Sequence, residues 1–418
     1  MYGLIQSAKL WYNELTRYLL GQGFKKCPSD DCILTKYQEG KQPIIVILYV
    51  DDILIMANRK EDRYWVKDIL EQQYKKVTVT EGARLPYLGM TIIRTDDGFE
   101  ICMQAYIEEV LKLYGNQVKK CITPAKPNLF KMTEKQALLK DRATFHSVVA
   151  KLLYLGKRGR PDILLPVQFL CTRVQNPTVE DGQKLQRVLG YLKLTKQWTR
   201  RLDNSPLERV EGYIDASFAT HPDGKSQSGC MVFLGQTLVH ETCRKQKLIT
   251  KNSTEAELVA LADHFEEGEL IETFLMDLGH LLGEDIVSNV HLVYQDNQST
   301  ISLVTTGGGQ ARSKYMKVRQ EYVKERLDCA ELEIQYVPTS KMVADVLTKP
   351  LGGELFHAHV RTILGRHQPY QSNRGAKSKM KHSESDVGLA VTLKGLSCSD
   401  QKTPKTTPGS TPSDRRQH

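Results

Sequence analysis

The sequence predicts two folded parts, an α+β part followed by an α/β part with a mixed sheet, and a disordered C-terminal tail. Three observations support this fold class. The 418 residues suggest two or three domains, at roughly 150 residues each. Of these residues, 40% are hydrophobic and 26% are charged, which is usual for globular proteins. Along the chain, a mixture of helices and hairpins changes to successive strands followed by alternating helices and strands.

The first 120 residues show the periodicities of an α+β fold. Trp11, Leu15 and Leu19 recur at four-residue spacing, which predicts a helix. Two β-rich apolar runs flank Asp51 and Asp52, which predicts a hairpin. In order, we expect a helix at 7–20, strands at 44–49 and 53–56, a helix at 60–74, and strands at 87–94 and 98–104.

Residues 140–200 are helical in pattern, and we expect breaks at Pro161, Pro166 and Pro177. They offer little chemistry, so we interpret them as a connecting segment. Beyond them the pattern changes to β-β-β-α-β-α-β-α, which predicts a mixed sheet of five strands with helices on its faces. We expect strands at 210–219, 229–234, 238–243, 290–295 and 331–337, with helices at 253–278, 297–304, 313–327 and 340–347.

Charge and composition set the tail apart. The chain carries a net charge of +9, and residues 366–418, with ten basic and four acidic side chains, account for +6. The segment is rich in Ser, Thr, Pro and Lys and has too little apolar surface to fold, so we expect disorder except in an apolar patch near 387–396. The tail contacts nucleic acid or is simply solvated, and both interpretations stay open.

The composition also excludes several protein classes. The longest apolar run, residues 44–56, is too short to cross a membrane and contains two aspartates. We expect no signal peptide, because the N-terminus has no charged region followed by an apolar one. Nine scattered cysteines without a CxxC pair indicate reduced thiols in the cytosol or nucleus and no zinc site.

Adjacent carboxylates are the first candidate for chemistry. Asp51 and Asp52 lie between apolar strands, so the hairpin would hold both at one place. Two carboxylates this close are costly unless water or a cation neutralises them, and Mg²⁺ prefers such hard oxygen ligands. The alternative is a solvated turn, in which aspartate is common.

A second set of acids is dispersed over the later part. Asp215 lies on the first strand of that part, Asp296 follows the strand HLVYQ, and Asp345 lies in the last short helix. Glu255 and Glu257 open the long helix, and their spacing of about 200° lets only one face a given site. Together these acids suit a phosphodiester hydrolase with two metal ions about 3.5–4 Å apart.

Glu257, Asp296 and Asp345 each have a structural interpretation as well. Thr254 and Glu257 fit a capping box, which needs no catalysis. Asp296 and Asp345 fit ordinary helix caps. Singly, each structural interpretation competes with catalysis, and the set as a whole favours the hydrolase.

The order of the motifs resembles the Pol polyprotein of copia-type LTR retrotransposons over about residues 1–360. The first part carries YGLIQSAKLWYNEL, SDDCILTKY, LYVDDILIMA and LPYLGM. The middle carries YLGKRGRPDILLPV and NPTVEDGQKLQRVLGYLK. The last part carries GYIDASFA, SGCMVFLG, KNSTEAELVAL, VYQDNQSTISL and VADVLTKPL.

The resemblance implies a role for each acid. Asp51 and Asp52 match the paired metal-binding aspartates of a polymerase palm. The four metal-binding acids of an RNase H domain match Asp215, Glu257, Asp296 and Asp345. Glu257 is preferred because ELVAL resembles the helix motif of the family, but Glu255 stays possible. The implied cofactor is Mg²⁺ or Mn²⁺, and the implied partner is an RNA–DNA hybrid recognised by shape and 2′-hydroxyls.

The resemblance also divides the chain. Residues 1–120 would be a partial reverse transcriptase palm that lacks the fingers and the first catalytic aspartate. Residues 121–207 would be a mainly helical thumb or connection, 208–350 an RNase H-like domain, and 366–418 the disordered basic tail. We expect RNase H activity without polymerisation by this chain alone. The family location would be cytoplasmic, in a virus-like particle, or nuclear.

Two alternatives remain beside an RNase H. One is a decayed or domesticated nucleic-acid-binding remnant of the same fold. The other is a different nuclease of RNase H-like fold, such as an integrase or resolvase, which the YVDD hairpin argues against. The family usually has histidines at the positions of Tyr315 and Glu321. Their replacement puts the rate of RNA hydrolysis in doubt more than metal binding. Basic residues at 157, 158 and 160 contact phosphates or form a solvated loop.

Overall fold

The apolar runs that flank Asp51 form an antiparallel hairpin, as predicted, with Tyr49 opposite Asp52. They belong to a computed structural model that describes residues 5–38, 42–75, 77–115, 118–133, 136–204, 209–283, 286, 290–306, 313–366 and 389–393. The first part contains α1 (Ile5–Gly21), β1 (Lys25–Cys27), β2 (Asp30–Lys36), β3 (Ile44–Tyr49), β4 (Asp52–Ala57), α2 (Lys60–Tyr74), β5 (Val77–Glu81), β6 (Arg84–Tyr87), β7 (Met90–Thr95), β8 (Gly98–Cys102) and α3 (Gln104–Tyr114).

Helices dominate the middle of the chain, and strands open the later part. The middle contains α4 (Arg142–Arg158), a 3₁₀ turn (Pro161–Ile163), α5 (Leu164–Cys171), α6 (Val179–Thr195) and β9 (Arg200–Asp203). The later part contains β10 (Val210–Ser217), β11 (Gln227–Leu234), β12 (Thr237–Lys245), α7 (Ser253–His264), α8 (Glu266–Leu282), β13 (His291–Gln295), α9 (Gln298–Thr306), α10 (Lys314–Asp328), β14 (Leu332–Tyr336), 3₁₀ turns at Thr339–Lys341 and Val343–Leu347, α11 (Gly353–Ile363) and β15 (Leu389–Leu393).

The predicted mixed sheet of five strands is present, in the order β12-β11-β10-β13-β14. The pairs β12–β11 and β11–β10 are antiparallel. The pairs β10–β13 and β13–β14 are parallel, because each of these strands is reached through a helical connection. The parallel strands β10 and β13 therefore end at the same edge of the sheet.

Both faces of this sheet are covered by helices. On one face, Ile214 and Val293 pack with residues of α7 and α10, including Leu258 and Val323. On the other face, the aromatic rings of Tyr213 and Tyr294 stack 4.7 Å apart. These rings share a core with α4, α5 and α6. The middle helices are therefore part of the hydrophobic core that supports the sheet.

The first part is built on a second sheet, in the order β1-β2-β3-β4-β15-β5. Its apolar core contains Leu15 and Leu19 from α1, with Ile53 and Ile55 from β4. A third sheet, β6-β7-β8-β9, joins the first part to the middle. Gly98 allows this pairing, since a Cβ atom at that position would lie 2.0 Å from the carbonyl oxygen of Leu202.

Several details of the prediction were wrong. Pro166 lies inside α5 and does not break it, because its missing N–H falls in the first turn, where no intrahelical acceptor exists. The helix predicted at 253–278 is two helices separated at Phe265. There Gly268 packs against the ring of His291, and a Cβ atom on Gly268 would lie 2.0 Å from Cε1 of His291. The segment predicted as a helix at 340–347 is 3₁₀ in geometry.

The predicted disordered tail lies mostly outside the described residues. Within it, residues 389–393, in the predicted apolar patch, form strand β15. Helix α11, at Gly353–Ile363, was not predicted. Among the described residues, none of the helices is long and apolar enough to cross a membrane. The eight described cysteines are free thiols.

Candidate active site

The strand register brings two of the predicted acids together. Tyr213 of β10 is level with Tyr294 of β13 in the parallel pair. Asp215 and Asp296 each follow two residues later, so they stand side by side at the carboxyl edge of the sheet. Such an edge is where open α/β sheets place their sites.

A glycine brings the third acid to the same edge. Gly229 of β11 is opposite Asp215 and lies under the 3₁₀ turn at Val343–Leu347, where a Cβ atom would lie 2.8 Å from Cβ of Leu347. This close approach places Asp345 beside Asp215. One carboxylate oxygen from each of Asp215, Asp296 and Asp345 lies within 4.8 Å of the other two. Within the described parts of the chain, no other group of three metal-ligating side chains is this close.

The structure distinguishes Glu255 from Glu257. Asn252 caps α7 by accepting a hydrogen bond from the backbone N–H of Glu255 at 2.9 Å. The carboxylate of Glu255 accepts from the backbone N–H of Lys251 at 2.8 Å. Glu255 therefore belongs to the helix start, and the alternative capping box of Thr254 with Glu257 is not formed.

Glu257 instead lies near the three aspartates, because the charges of Asp215 and Asp296 act on its carboxyl group. Its side chain is only 5% exposed, and Nε2 of Gln295 lies 3.5 Å from its Oε2. Burial, together with the charges of Asp215 and Asp296, raises the pKa of Glu257 well above its usual value. Three of the four acids that the sequence predicted therefore come together, and Glu257 lies near them.

The helix-cap interpretation does not apply to Asp296 or Asp345. Asn297 caps α9, because its Oδ1 accepts from the backbone N–H of Thr300 at 3.0 Å. The side chain of Asp345 contacts Nζ of Lys349 at 2.6 Å and caps no helix. Both carboxylates are therefore available to the cluster.

Burial and mutual repulsion raise the pKa values of Asp296 and Asp345. Burial and then the charge of Asp215 raise the pKa of Asp345 to about 7. The pKa of Asp296 is also raised, chiefly by burial, although a hydrogen bond from Thr339 opposes the shift. Lys349 has a raised pKa in spite of its burial, because it lies against Asp215 and Asp345. Such a concentration of oxygen ligands has the chemistry of a divalent-cation site.

The hairpin acids form a separate and simpler arrangement. The tip consists of Val50 and Asp51, and Val50 has a positive φ of 53°. Nε1 of Trp11 donates to the carbonyl oxygen of Val50 at 2.9 Å, which ties the tip to α1. Burial and the charge of Asp52 raise the pKa of Asp51. Within the described ranges, no third carboxylate joins this pair closely enough to complete a group of three ligands.

The chain is similar in sequence to known proteins. Residues 1–127 match the family model described as reverse transcriptase (RNA-dependent DNA polymerase). The Pol polyproteins of transposons RE1 and RE2 of Arabidopsis thaliana are each 30% identical, over 359 and 366 residues. That of transposon TNT 1-94 of Nicotiana tabacum is 27% identical over 378 residues. The chain is related to the Pol polyproteins of copia-type retrotransposons.

The chain covers only part of those proteins. The match to the RE1 polyprotein includes 85% of this chain and 24% of that polyprotein, so the chain spans about a quarter of the curated relatives that it matches. Among solved structures, RNase H1 of Halobacterium salinarum NRC-1 is 19% identical, with a TM-score of 0.26, over 34% of this chain and 94% of that chain. The foamy viral protease-reverse transcriptase in complex with RNA/DNA hybrid is 12% identical, with a TM-score of 0.42, over 81% and 38%.

Two residues that contact the acidic cluster, Thr348 and Lys349, were not predicted from the sequence. Lys349 contacts Asp215 at 3.2 Å and Asp345 at 2.6 Å, and Oγ1 of Thr348 donates to Asp215. A lysine four residues after an acid in a helical turn is a recognisable signal for the Lys349–Asp345 contact. The contacts with Asp215 bridge a long sequence separation, so no local pattern reveals them.

The basic residues at 157, 158 and 160 have different surroundings in the structure. Arg160 is buried, and its guanidinium makes two hydrogen bonds to Asp162, at 2.9 and 2.7 Å. Both earlier interpretations of Arg160, a phosphate contact and a solvated loop, are therefore wrong, because its donors are used inside the core. Lys157 donates to the carbonyl oxygen of Glu241, whereas Arg158 is exposed over the ring of Tyr154.

The positions that differ from the family's histidines lie on α10. Tyr315 is 76% exposed, and Glu321 is exposed as well. Arg319, on the same helix, forms an ion pair with Asp263 at 3.0 Å. Arg312, which opens the segment in the sequence, lies outside the described residues.

Proposed function

We propose that residues 208–350 are an RNase H domain that hydrolyses the RNA strand of RNA–DNA hybrids. The observation that carries this proposal is the convergence of Asp215, Asp296 and Asp345 within 4.8 Å. Glu257 supplies a fourth buried carboxylate to the same place. Relationship to retrotransposon Pol polyproteins supports the substrate, since an RNA-dependent DNA polymerase leaves its product paired with its RNA template.

The four acids fit a pair of divalent cations. Carboxylate oxygens are the ligands that Mg²⁺ prefers, and Mn²⁺ accepts the same donors. When bound, two such ions stabilise the attacking and leaving oxygens of an in-line displacement. Asp215, Asp296 and Asp345 would hold these ions, and Glu257 would offer a further carboxylate ligand.

Residues of the chain prepare this site before any ion enters. Thr348 and Lys349 donate to Asp215, and Lys349 also contacts Asp345. The ammonium of Lys349 thus neutralises part of the negative charge. It would have to withdraw when cations bind, and it would then be free to contact the scissile phosphate. Asp345 would lose its proton in the same step, because its pKa is about 7.

The remaining parts would bind and position the hybrid. We assign residues 1–120 to a partial polymerase palm, with Asp51 and Asp52 as its metal-binding pair, and residues 121–207 to a connection. Two carboxylates alone hold a cation weakly, and strand β15 beside Asp52 contains no acid. Polymerisation by this chain alone is therefore not part of the proposal. A particle-associated location follows from the relationship to Pol polyproteins.

A second candidate is a binding module that has lost catalysis. The contact of Lys349 with two of the acids favours it, because a permanent ammonium would replace the cation. The two candidates differ in one assay, in which labelled RNA–DNA hybrid is incubated with the folded protein and Mg²⁺. The proposal predicts cleavage of the RNA strand and no cleavage of duplex DNA. Binding of the hybrid without cleavage would favour the second candidate, and cleavage of duplex DNA would favour an integrase-like nuclease.

A further inference from the structure

Strand β15 occupies an unusual place in the sheet of the first part. It lies between β4 and β5 and is antiparallel to both. The strands β4 and β5 are therefore parallel to each other, joined through α2, and separated by the width of one strand. The segment that fills this gap comes from more than 300 residues later in the chain.

An empty gap would be unfavourable for this sheet. The facing edges of β4 and β5 would present unpaired N–H and C=O groups in the middle of a sheet. Ile53 and Ile55 of β4 are fully buried, and Val77 and Val79 of β5 pack against the same core. A strand between them is therefore required to keep this core closed to water.

The sequence of β15 matches the gap. Val391 is level with Ile53 on one side and with Val79 on the other. Leu393 is level with Val77, and the segment LAVTL alternates large apolar residues with smaller ones. This alternation follows that of the neighbouring strands, and a slip of one residue would reverse it. The segment also contains no charged residue, as a central strand requires.

We propose that the gap between β4 and β5 is a docking site for an extended strand, and that residues 389–393 fill it in cis. The 22 residues from 367 to 388 could reach about 75 Å when extended, at ~3.4 Å each, so distance does not limit docking. A tethered strand has a high effective concentration, which favours the chain's own segment over a second copy. Docking stabilises β4, and with it the hairpin that carries Asp51 and Asp52.

Hydrogen–deuterium exchange on the full chain tests this inference. Val391→Pro removes a backbone N–H from the centre of β15, and proline is not tolerated in a central strand, so the variant should displace β15 from both neighbouring strands. The matched control is Val391→Thr, which keeps the N–H and a β-branched side chain. In the Val391→Pro variant, amide hydrogen exchange of residues 52–57 and 77–81 should be at least about tenfold faster than in wild type. The reason is that the facing edges of β4 and β5 open to water. Exchange in 210–217 should not change, which shows that the rest of the chain is folded.

Unchanged exchange in 52–57 and 77–81 with Val391→Pro would overturn the proposal. A chain that ends at Arg366 should exchange as quickly as the proline variant, and a synthetic peptide of residues 386–396 should restore protection. Failure of the peptide to protect the strands would contradict a separable docking site. Light scattering should give a monomer for the full chain, and a dimer that loses this protection on dilution would overturn docking in cis.

Discussion

Nζ of Lys349 lies 2.6 Å from Oδ1 of Asp345 and 3.2 Å from Oδ1 of Asp215. One ammonium therefore bridges two carboxylates that come from opposite ends of the later part. It lies where a cation would neutralise the cluster, and it offsets part of the negative charge of these acids. Lys349 is thus a switchable counter-ion in the proposed mechanism.

Replacement of Lys349 by Met should make the protein depend on Mg²⁺ for stability. Loss of one partner of a buried ion pair costs about 3–5 kcal/mol, and partial exposure of Lys349 reduces this to about 1–3 kcal/mol. Mg²⁺ should restore most of the lost free energy of unfolding, and the effect is measured by urea denaturation with and without Mg²⁺. Lys341→Met, at an exposed position nearby, is the control. Equal responses of the two variants to Mg²⁺ would contradict the counter-ion role.

Binding of Mg²⁺ should weaken as the pH falls below 7. The pKa of Asp345 is raised to about 7, so this carboxyl is protonated below that pH, and a cation must displace the proton. The apparent affinity should fall by up to about tenfold per pH unit between pH 7 and pH 6 and level off above pH 8. Calorimetric titration in two buffers of different ionisation enthalpy measures the proton released. The Asp345→Asn variant should release fewer protons than wild type, because Asp345 is one of several acids there with a raised pKa. An affinity independent of pH in wild type would refute the assignment.

The two glutamates at the start of α7 should respond differently to substitution by glutamine. Glu257→Gln removes a buried acid from the cluster, so RNA hydrolysis should fall by at least about ten- to a hundredfold, the range for weaker perturbations of metal sites. Glu255→Gln removes a helix-start contact and should cost about 0.5–1 kcal/mol in unfolding free energy with little change in rate. Kinetic assays and thermal unfolding of both variants separate a catalytic role from a role in helix stability. A slower Glu255→Gln variant beside a fully active Glu257→Gln variant would assign the catalytic role to Glu255.

Arg160 should matter for stability and not for binding of the hybrid. Arg160→Ala leaves the carboxylate of Asp162 buried without its partner, which should cost about 3–5 kcal/mol. The matched control is Arg158→Ala, an exposed change that should stay within about 0.5 kcal/mol. Urea denaturation measures both. A stable Arg160→Ala protein with weaker binding of hybrid would restore the phosphate-contact interpretation.

Local patterns were sufficient to predict the strand that carries Asp215 and the strand that precedes Asp296. The alternation around Asp215 and the strand HLVYQ before Asp296 specify two strands, and the parallel order follows from the helix between them. Their side-by-side placement is then a consequence of sheet geometry. The assignment of Asp215, Glu257, Asp296 and Asp345 as metal ligands remains a prediction.

Features that depend on distant contacts could not be predicted. The sequence around Gly229 does not indicate that the turn at 343–347 packs on it. By sequence, Arg160 is also indistinguishable from a basic loop residue, because only the fold shows that it is buried. Strand β15 pairs with strands more than 300 residues away, and no periodicity within the tail indicates that pairing. Each case depends on tertiary packing, which short sequence windows do not report.

Hydrolysis of a labelled RNA–DNA hybrid by the purified protein in Mg²⁺, beside an Asp296→Asn variant, tests the central claim most directly. The account predicts cleavage of the RNA strand by wild type and a rate at least about a hundredfold lower for the variant, beyond the usual effect of residues outside the ligand shell. Both proteins should bind the hybrid and unfold at similar temperatures. No cleavage by folded, hybrid-bound wild type, or equal cleavage by Asp296→Asn, would contradict the account.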